Sequence, residues 1–322
     1  MNSNRKNTLA SLAKKLDLSL KEALSIELLE ANIESFLYAK EISGVSAHTL
    51  TGYRQSFKAF LQFAKEKGVD RMSADTLKAF FAHQQRLGLK PGTVSTRYTA
   101  FRSFMSYLLN EGELDVDILQ SIPRPIVRQD EIAPFTEEEV LRLLDAAKET
   151  RNPERNVALL CLLLDTGMRI REALSLNVED VDIRSKEVFI RHGKGNKGRV
   201  VPISPRCFRA LVSYIKTRER VSDSDPLFVS ERGARMAVIT AEKLFDVLGA
   251  KAKITGKRVS PHTMRHTFAI LFLRNGGRQL PLMKILGHTS LAMTNRYVQL
   301  AGADMAREHE VASPLANLGK KK

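Results

Sequence analysis

The chain has 322 residues, enough for one large domain or two ordinary ones with their own cores. Its net charge of +15 and pI near 9.9 favour a polyanionic partner, nucleic acid foremost, although a basic ribosomal or membrane-surface protein would share that charge. The hydrophobic share of 43% suits a soluble globular protein, the start MNSNRKNTLASLAKKLDLSLKEAL has no apolar core of signal-peptide length, no window reaches transmembrane length, and two isolated cysteines (Cys161, Cys207) make neither a disulfide framework nor a zinc site, all of which fits a reducing cytoplasm.

The first forty residues read as helix, with LSIELLEANIESFLYA apolar at helical spacing. Ser46 caps a second helix that Gly68 ends, a third covers Ala74 to Arg86, and Pro91 sits near the start of a fourth closed by Gly112. These four make a small bundle. Its stretch from Thr76 to Asn110 carries Lys78, Arg86, Lys90, Arg97 and Arg102 without an acid. A solvated helix face would look the same, but the missing acids favour a surface that follows a DNA backbone. Residues 121–135 hold three prolines and read as an extended linker. Thr136 with Glu139 is a capping-box pattern that opens a second domain.

That domain begins with helices, passes through a strand pair in VFIRHGKGNKGRVVPI, and returns to helices apart from a short possible strand at LFVS; the class is mainly α with a small β-sheet. Cys161 sits in the apolar run VALLCLLL and reads as core. Arg169 lies where one helix ends near Thr166-Gly167 and another begins, with Glu172 on the same helical face. Arginine grips phosphate through two N–H groups, though an Arg–Glu pair at this spacing is commonly a surface salt bridge. Lys194 sits at a glycine-rich hairpin tip, and Arg191, Lys197 and Arg199 flank it; such a cationic tip suits a DNA groove, or simply a solvated turn. A phosphate-binding P-loop is excluded, because Gly198 is followed by Arg-Val and a strand.

Ser260-Pro261 starts a helix that Asn275-Gly276-Gly277 ends, placing His262 and Arg265 on one face of its first turns, where phosphate is favoured. His262 and His266 are four apart, but no Glu follows His262 and no nearby Cys adds a ligand, so no metal is expected and His266 reads as a packing or supporting residue. Pro281 begins a short helix ended by Gly287, His288 follows, and Ser290 caps a last helix that carries Tyr297. Tyrosine oxygen, two guanidiniums and several proton carriers suit attack on a phosphodiester without a metal.

Taken together, TGMRIREAL, HGKGNKGRVVPI, PHTMRH, LGHTS and TNRYV, in this order, resemble the tyrosine recombinase family of phage integrases and Xer- and Cre-like enzymes. HTLTGYRQSFKAFLQF resembles its N-terminal helical core-binding (SAM-like) domain. The resemblance implies an N-terminal extension at 1–24, a core-binding DNA-binding domain at 25–120, a linker at 121–135, a catalytic domain at 136–300 and a tail at 301–322. In the tail, Met305, Val311 and Leu315 are candidate anchors on a neighbouring protomer, unless it is frayed. It implies that Arg169 and Arg265 bind the phosphate, supported by Glu172, that Lys194 protonates the departing 5′ oxygen, and that His262 assists proton transfer from the tyrosine. His288 would bind the phosphate and Tyr297 would be the nucleophile. No cofactor is implied. The implied partners are a double-stranded DNA recombination site and three further copies, as a tetramer on DNA, with no membrane. A type IB topoisomerase would use the same chemistry on one duplex, and a non-catalytic DNA-binding regulator of the same fold would have no need of Tyr297.

Overall fold

Phenylalanine organises the N-terminal part of the chain. The structure, a computed structural model, describes residues 21–127, 133–191, 198–288, 290–301, 309 and 313–318, and parts near residue 130 into two units. Lys194, Lys197, Met305, Val311 and residues 1–20 lie outside the described residues. In the first unit, helices α1 (Ile26–Ile42), α2 (Ala47–Lys67), α3 (Ala74–Arg86) and α4 (Pro91–Asn110) surround Phe36, Phe57, Phe60, Phe80, Phe101 and Phe104, each at most 1% exposed. Their rings meet edge to face, as in Phe36–Phe104 at 5.3 Å and Phe57–Phe101 at 5.3 Å between centroids. Such pairs add about 0.5–1.5 kcal/mol beyond area burial.

The first helix begins later than periodicity suggests. Leu24–Ser25 (β1) pairs antiparallel with Arg71–Met72 (β2), and Ser25 Oγ then caps α1 by accepting from Leu28 N–H. The unit's basic side chains are unequal. Lys78 pairs with Asp75 at 3.5 Å and Arg102 with Asp117 at 2.7 Å, while Arg86 and Lys90 are exposed and Arg97 is half-buried, which lowers its pKa.

The second unit is built around α6 (Pro153–Thr166), apolar nearly all round, with Leu159, Leu160, Leu162 and Leu163 sealed against its neighbours and Cys161 buried beside them. Against it pack α5 (Glu137–Lys148), α8 (Pro205–Lys216) and α10 (Pro261–Arg274). The expected strand pair is a three-stranded antiparallel sheet in the order β3 (Val181–Asp182), β4 (Glu187–Ile190), β5 (Arg199–Pro202). Val188, Ile190 and Val201 face the core while Phe189 and Val200 face out, the alternation of a half-buried sheet. LFVS is not a strand. Leu227 N–H is spent on Leu176 C=O, and the chain reverses at Gly233 (φ 77°), so only isolated bridges form there, Asn177 to Pro226 and Val229 to Arg235.

The remaining helices are α7 (Ile170–Ser175), α9 (Val238–Lys251), α11 (Gln279–Leu286), α12 (Leu291–Ala301) and α13 (Pro314–Asn317). α11 starts two residues before Pro281, which fits in the first turn because that turn's N–H groups have no partner inside the helix. Among the described residues no helix is long and apolar enough to cross a membrane.

Gly167 closes α6 in the left-handed region (φ 57°), donating its N–H to Leu163 C=O. A Cβ at this position would run into the Phe268 ring and the Leu286 side chain. Gly167→Ala is therefore expected to lose roughly 1–2 kcal/mol to backbone strain and about 1–3 kcal/mol more to overpacking. A lower denaturant midpoint at unchanged slope would show it, and a neutral effect would contradict this account.

Candidate active site

Arg169 is the N-cap of α7, directly after the left-handed turn at Gly167. Its backbone N–H donates to Glu172 Oε2 and its Nη1 to Glu172 Oε1, both at 2.9 Å. Glu172, 6% exposed in its side chain, also accepts from Arg199, through Nη1 at 3.2 Å and Nη2 at 2.7 Å. Arg199 Nε donates to Ile285 C=O at 2.8 Å, and the guanidinium lies against Gly287, where a Cβ would press on it at 3.0 Å. Its side chain is only 11% exposed. Arg199, expected as a contact to a DNA groove, instead spends both ends of its fork inside the fold here. Burial pushes the Glu172 carboxyl up, but hydrogen bonds and charge from Arg199 and Arg169 outweigh it, so the net shift is down.

Arg265 is carried on the buried face of α10, whose start is fixed by Ser260 Oγ accepting from Thr263 N–H with Pro261 in the first turn. The side chain is 3% exposed overall and makes three bonds: Nη1 to Gly167 C=O at 2.6 Å, Nη2 to Leu286 C=O at 2.9 Å, and Nη2 to His288 Nε2 at 2.9 Å. Guanidinium has five N–H groups, so at most two remain for a phosphate oxygen. A guanidinium only donates. His288 Nε2 must therefore accept, which puts the imidazole proton on Nδ1, where it is donated to the buried Thr294 Oγ1 at 3.0 Å. Burial, then the charges of Arg265, Arg169 and Arg199, bring His288 down to about 4. Burial and the neighbouring Arg169 charge bring Arg265 down to about 10.

Tyr297 lies on α12 in a small apolar cluster with Phe268, Leu282 and Leu286, and is 5% exposed. Its ring stacks on His288, with centroids 6.2 Å apart and planes 12° apart. Its hydroxyl lies 2.8 Å from His266 Nδ1. Burial raises the phenol pKa, opposed by the charges of Arg265, Arg296 and Arg169. His262 stands edge-on against His266, with centroids 4.2 Å apart, and its pKa is lowered by burial and by Arg265, Arg169 and Arg258.

Residues from four separated segments, Arg169 with Glu172, Arg265 with His262, His288, and Tyr297, therefore meet in one linked network. Two members had a different reading in the sequence. His266 read as packing or support, yet it is the imidazole at the tyrosine hydroxyl. Arg199 read as a groove contact, and its hairpin position gave no sign of burial. Arg191 donates to Asp180 at 2.5 Å and to Glu179 at 2.7 Å, so its charge is shared with two carboxylates. The network is strongly cationic, with Glu172 as the carboxylate bonded into it, and its geometry suits a bound oxyanion beside a phenol and neutral imidazoles.

Residues 134–303 match the model of the phage integrase family, and residues 33–112 match that of the phage integrase N-terminal SAM-like domain. A tyrosine recombinase XerC of Thermodesulfovibrio yellowstonii is 29% identical over 295 residues, covering 88% of this chain and 96% of that protein. A tyrosine recombinase XerC of Escherichia coli O157:H7 is 28% identical over 297 residues, covering 91% and 99%. Among solved structures, a XerH site-specific recombinase bound to a palindromic difH substrate, in a post-cleavage complex, aligns with a TM-score of 0.67 at 21% identity, covering 86% of this chain and 82% of that one. A lambda integrase dimer bound to a COC' core site aligns with a TM-score of 0.68 at 15% identity, covering 82% and 96%. At such identities these two structures speak for the fold.

Two stability predictions follow from the network. Arg199→Met leaves Glu172 buried with Arg169 as its remaining partner here; removing one member of a buried pair typically costs about 3–5 kcal/mol, and the low end is expected. Chemical denaturation would measure it, and an unchanged midpoint would count against the structural role of Arg199. His266 and His288 are both held near 4 in the fold, mainly by burial, against an ordinary value of 6.5. The unfolded chain therefore binds more protons as pH falls below 6.5, so stability full above that value should drain away toward pH 4. Glu172, held below its ordinary value of 4.5, adds a further loss below that pH. Denaturation curves across this range should fall less steeply for His288→Asn than for the natural chain.

Proposed function

The chain belongs to the phage integrase family and is a site-specific DNA recombinase, and from this we propose that Tyr297 is its nucleophile, with Arg169 and Arg265 holding the scissile phosphate. The phenol oxygen attacks phosphorus. An Oη–P bond forms as the bond to the 5′ oxygen breaks, leaving a 3′-phosphotyrosine and a free 5′-hydroxyl. The bond energy stays in the protein–DNA link, so the step can be reversed by a 5′-hydroxyl from a partner duplex. The two guanidiniums act when charge builds on the phosphorane. His288, locked in one tautomer by Arg265 and Thr294, is acceptor toward the arginine and ring partner to the phenol. We assign Lys194 to protonation of the leaving 5′ oxygen and His262 to assistance of proton transfer from the tyrosine.

What supports this reading most directly is the setting of the Tyr297 hydroxyl, 2.8 Å from an imidazole and within the charge field of Arg265 and Arg169. Exchange between two duplexes calls for four copies, so a tetramer on DNA is the proposed working assembly, acting in the cytoplasm, with the tail seated on a neighbour. Leu315, 80% exposed, is the described candidate anchor for that contact. Lys78, Arg86, Lys90, Arg97 and Arg102, with Arg191 and Lys197, are the proposed backbone contacts. Arg86 and Lys90 carry the least internal competition.

A nicked suicide substrate should trap a covalent adduct with the natural chain. Tyr297→Phe should abolish the adduct while a gel shift with the same DNA persists; an adduct that survives the substitution would overturn the assignment. Arg169→Ala should slow single-turnover cleavage about 100- to 1000-fold, the usual effect of removing one oxyanion donor.

A further inference from the structure

His262 is given an assisting part in proton transfer from the tyrosine, yet the imidazole at the hydroxyl itself is that of His266. We infer that His266 Nδ1 accepts the proton from the Tyr297 hydroxyl as the phenol oxygen attacks phosphorus. The inference rests on that reading and extends it. The balance is simple: Oη–P forms, P–O5′ breaks, the phenol proton passes to His266, and the leaving oxygen is protonated by the acid assigned to Lys194. His266 is then a catalytic residue, since it touches the reacting atom.

Geometry carries the assignment. His266 Nδ1 is 2.8 Å from the hydroxyl, within the reach a general base needs. Two other imidazoles stand nearby, and the Tyr297 hydroxyl is hydrogen-bonded to His266 rather than to either of them. His288 Nε2 accepts from Arg265 and its Nδ1 donates to Thr294, so neither nitrogen offers a lone pair to the phenol. His262 lies against His266, at 4.2 Å between ring centroids. The acceptor is needed because burial raises the phenol pKa, which leaves Tyr297 protonated at neutral pH.

The basicity of His266 is set by its surroundings. Burial comes first, followed by His262 and Arg265 on its own helix and Arg296 on α12; together they bring it down to about 4. Among the described residues, Tyr297 itself and, beyond its ring, His288 also stand on its side. A weak base of this kind is neutral and able to accept at neutral pH. A DNA phosphate bound between the arginines would cancel much of the cationic field and raise the His266 pKa toward its ordinary value. The base thus strengthens as the substrate arrives.

The test uses the full-length chain and the nicked suicide substrate, with single-turnover adduct formation followed against pH. His266→Asn keeps a hydrogen-bonding atom near the Nδ1 position but has no basicity; His266→Ala leaves room for added imidazole. General-base removal is expected to cost about 100- to 10,000-fold at neutral pH. The loss should shrink as pH rises, and imidazole should restore the Ala variant in part. A merely positioning His266 would instead give an Asn variant close to the natural rate, or equal losses at every pH without imidazole rescue, and either result overturns the inference. If the Ala variant loses DNA binding, His266→Asn alone decides. The failures are separable: no adduct with the natural chain, or one that survives Tyr297→Phe, sinks the proposed function. An adduct that depends on Tyr297 and ignores His266→Asn sinks only the base.

Discussion

One buried guanidinium keeps the catalytic unit's separate pieces in register. Arg265 reaches from α10 to the carbonyl of Gly167 at one junction and to Leu286 and His288 at another. Each acceptor is a backbone or ring atom whose position is set by its own helix end, so the fork reads three elements at once. Lysine would not replace it, because one ammonium nitrogen cannot meet acceptors spread over two planar arms. Gly167 contributes twice, by its left-handed turn and by the carbonyl that turn exposes.

The second constraint is electrostatic. Arg169, Arg199 and Arg265 are gathered in a partly buried region where like charges repel. Glu172 makes this tolerable by bonding two of them, and backbone carbonyls take N–H groups from Arg199 and Arg265. Burial, aided by the same field, keeps His288 and His266 neutral at physiological pH, and for His288 the guanidinium beside it fixes which nitrogen accepts. Charge distribution and hydrogen-bond direction are thus one property of the site.

Much of this was legible in the sequence where the signal is local. Ser46, Thr136 and Ser260 cap helices through their own side chains, and Gly68 and Gly167 end them in the left-handed region, all within four residues of the cue. That Arg169 and Glu172 share a face follows from a spacing of three. What was not legible depends on distance along the chain. His266 and Tyr297 are separated by 31 positions, and nothing local distinguishes an imidazole facing a phenol from one facing the core. Arg199 sits in a basic hairpin whether it is solvated or buried against Glu172, 27 positions away. Strand β3 is two residues long and exists only because β4 offers it an edge. The early start of α11 shows the same limit, since proline marks the first turn and not its first residue.

Tyr297, the proposed nucleophile, is also a member of the small cluster formed with Phe268, Leu282 and Leu286. Drawing its ring away from them uncovers apolar surface, at a cost of about 25 cal/mol for each Å². Contacts with the nucleic acid must exceed that cost before the oxygen can travel far. Affinity and readiness to cut are then coupled quantities, and a chain alone in solution keeps its blade in the scabbard by ordinary packing.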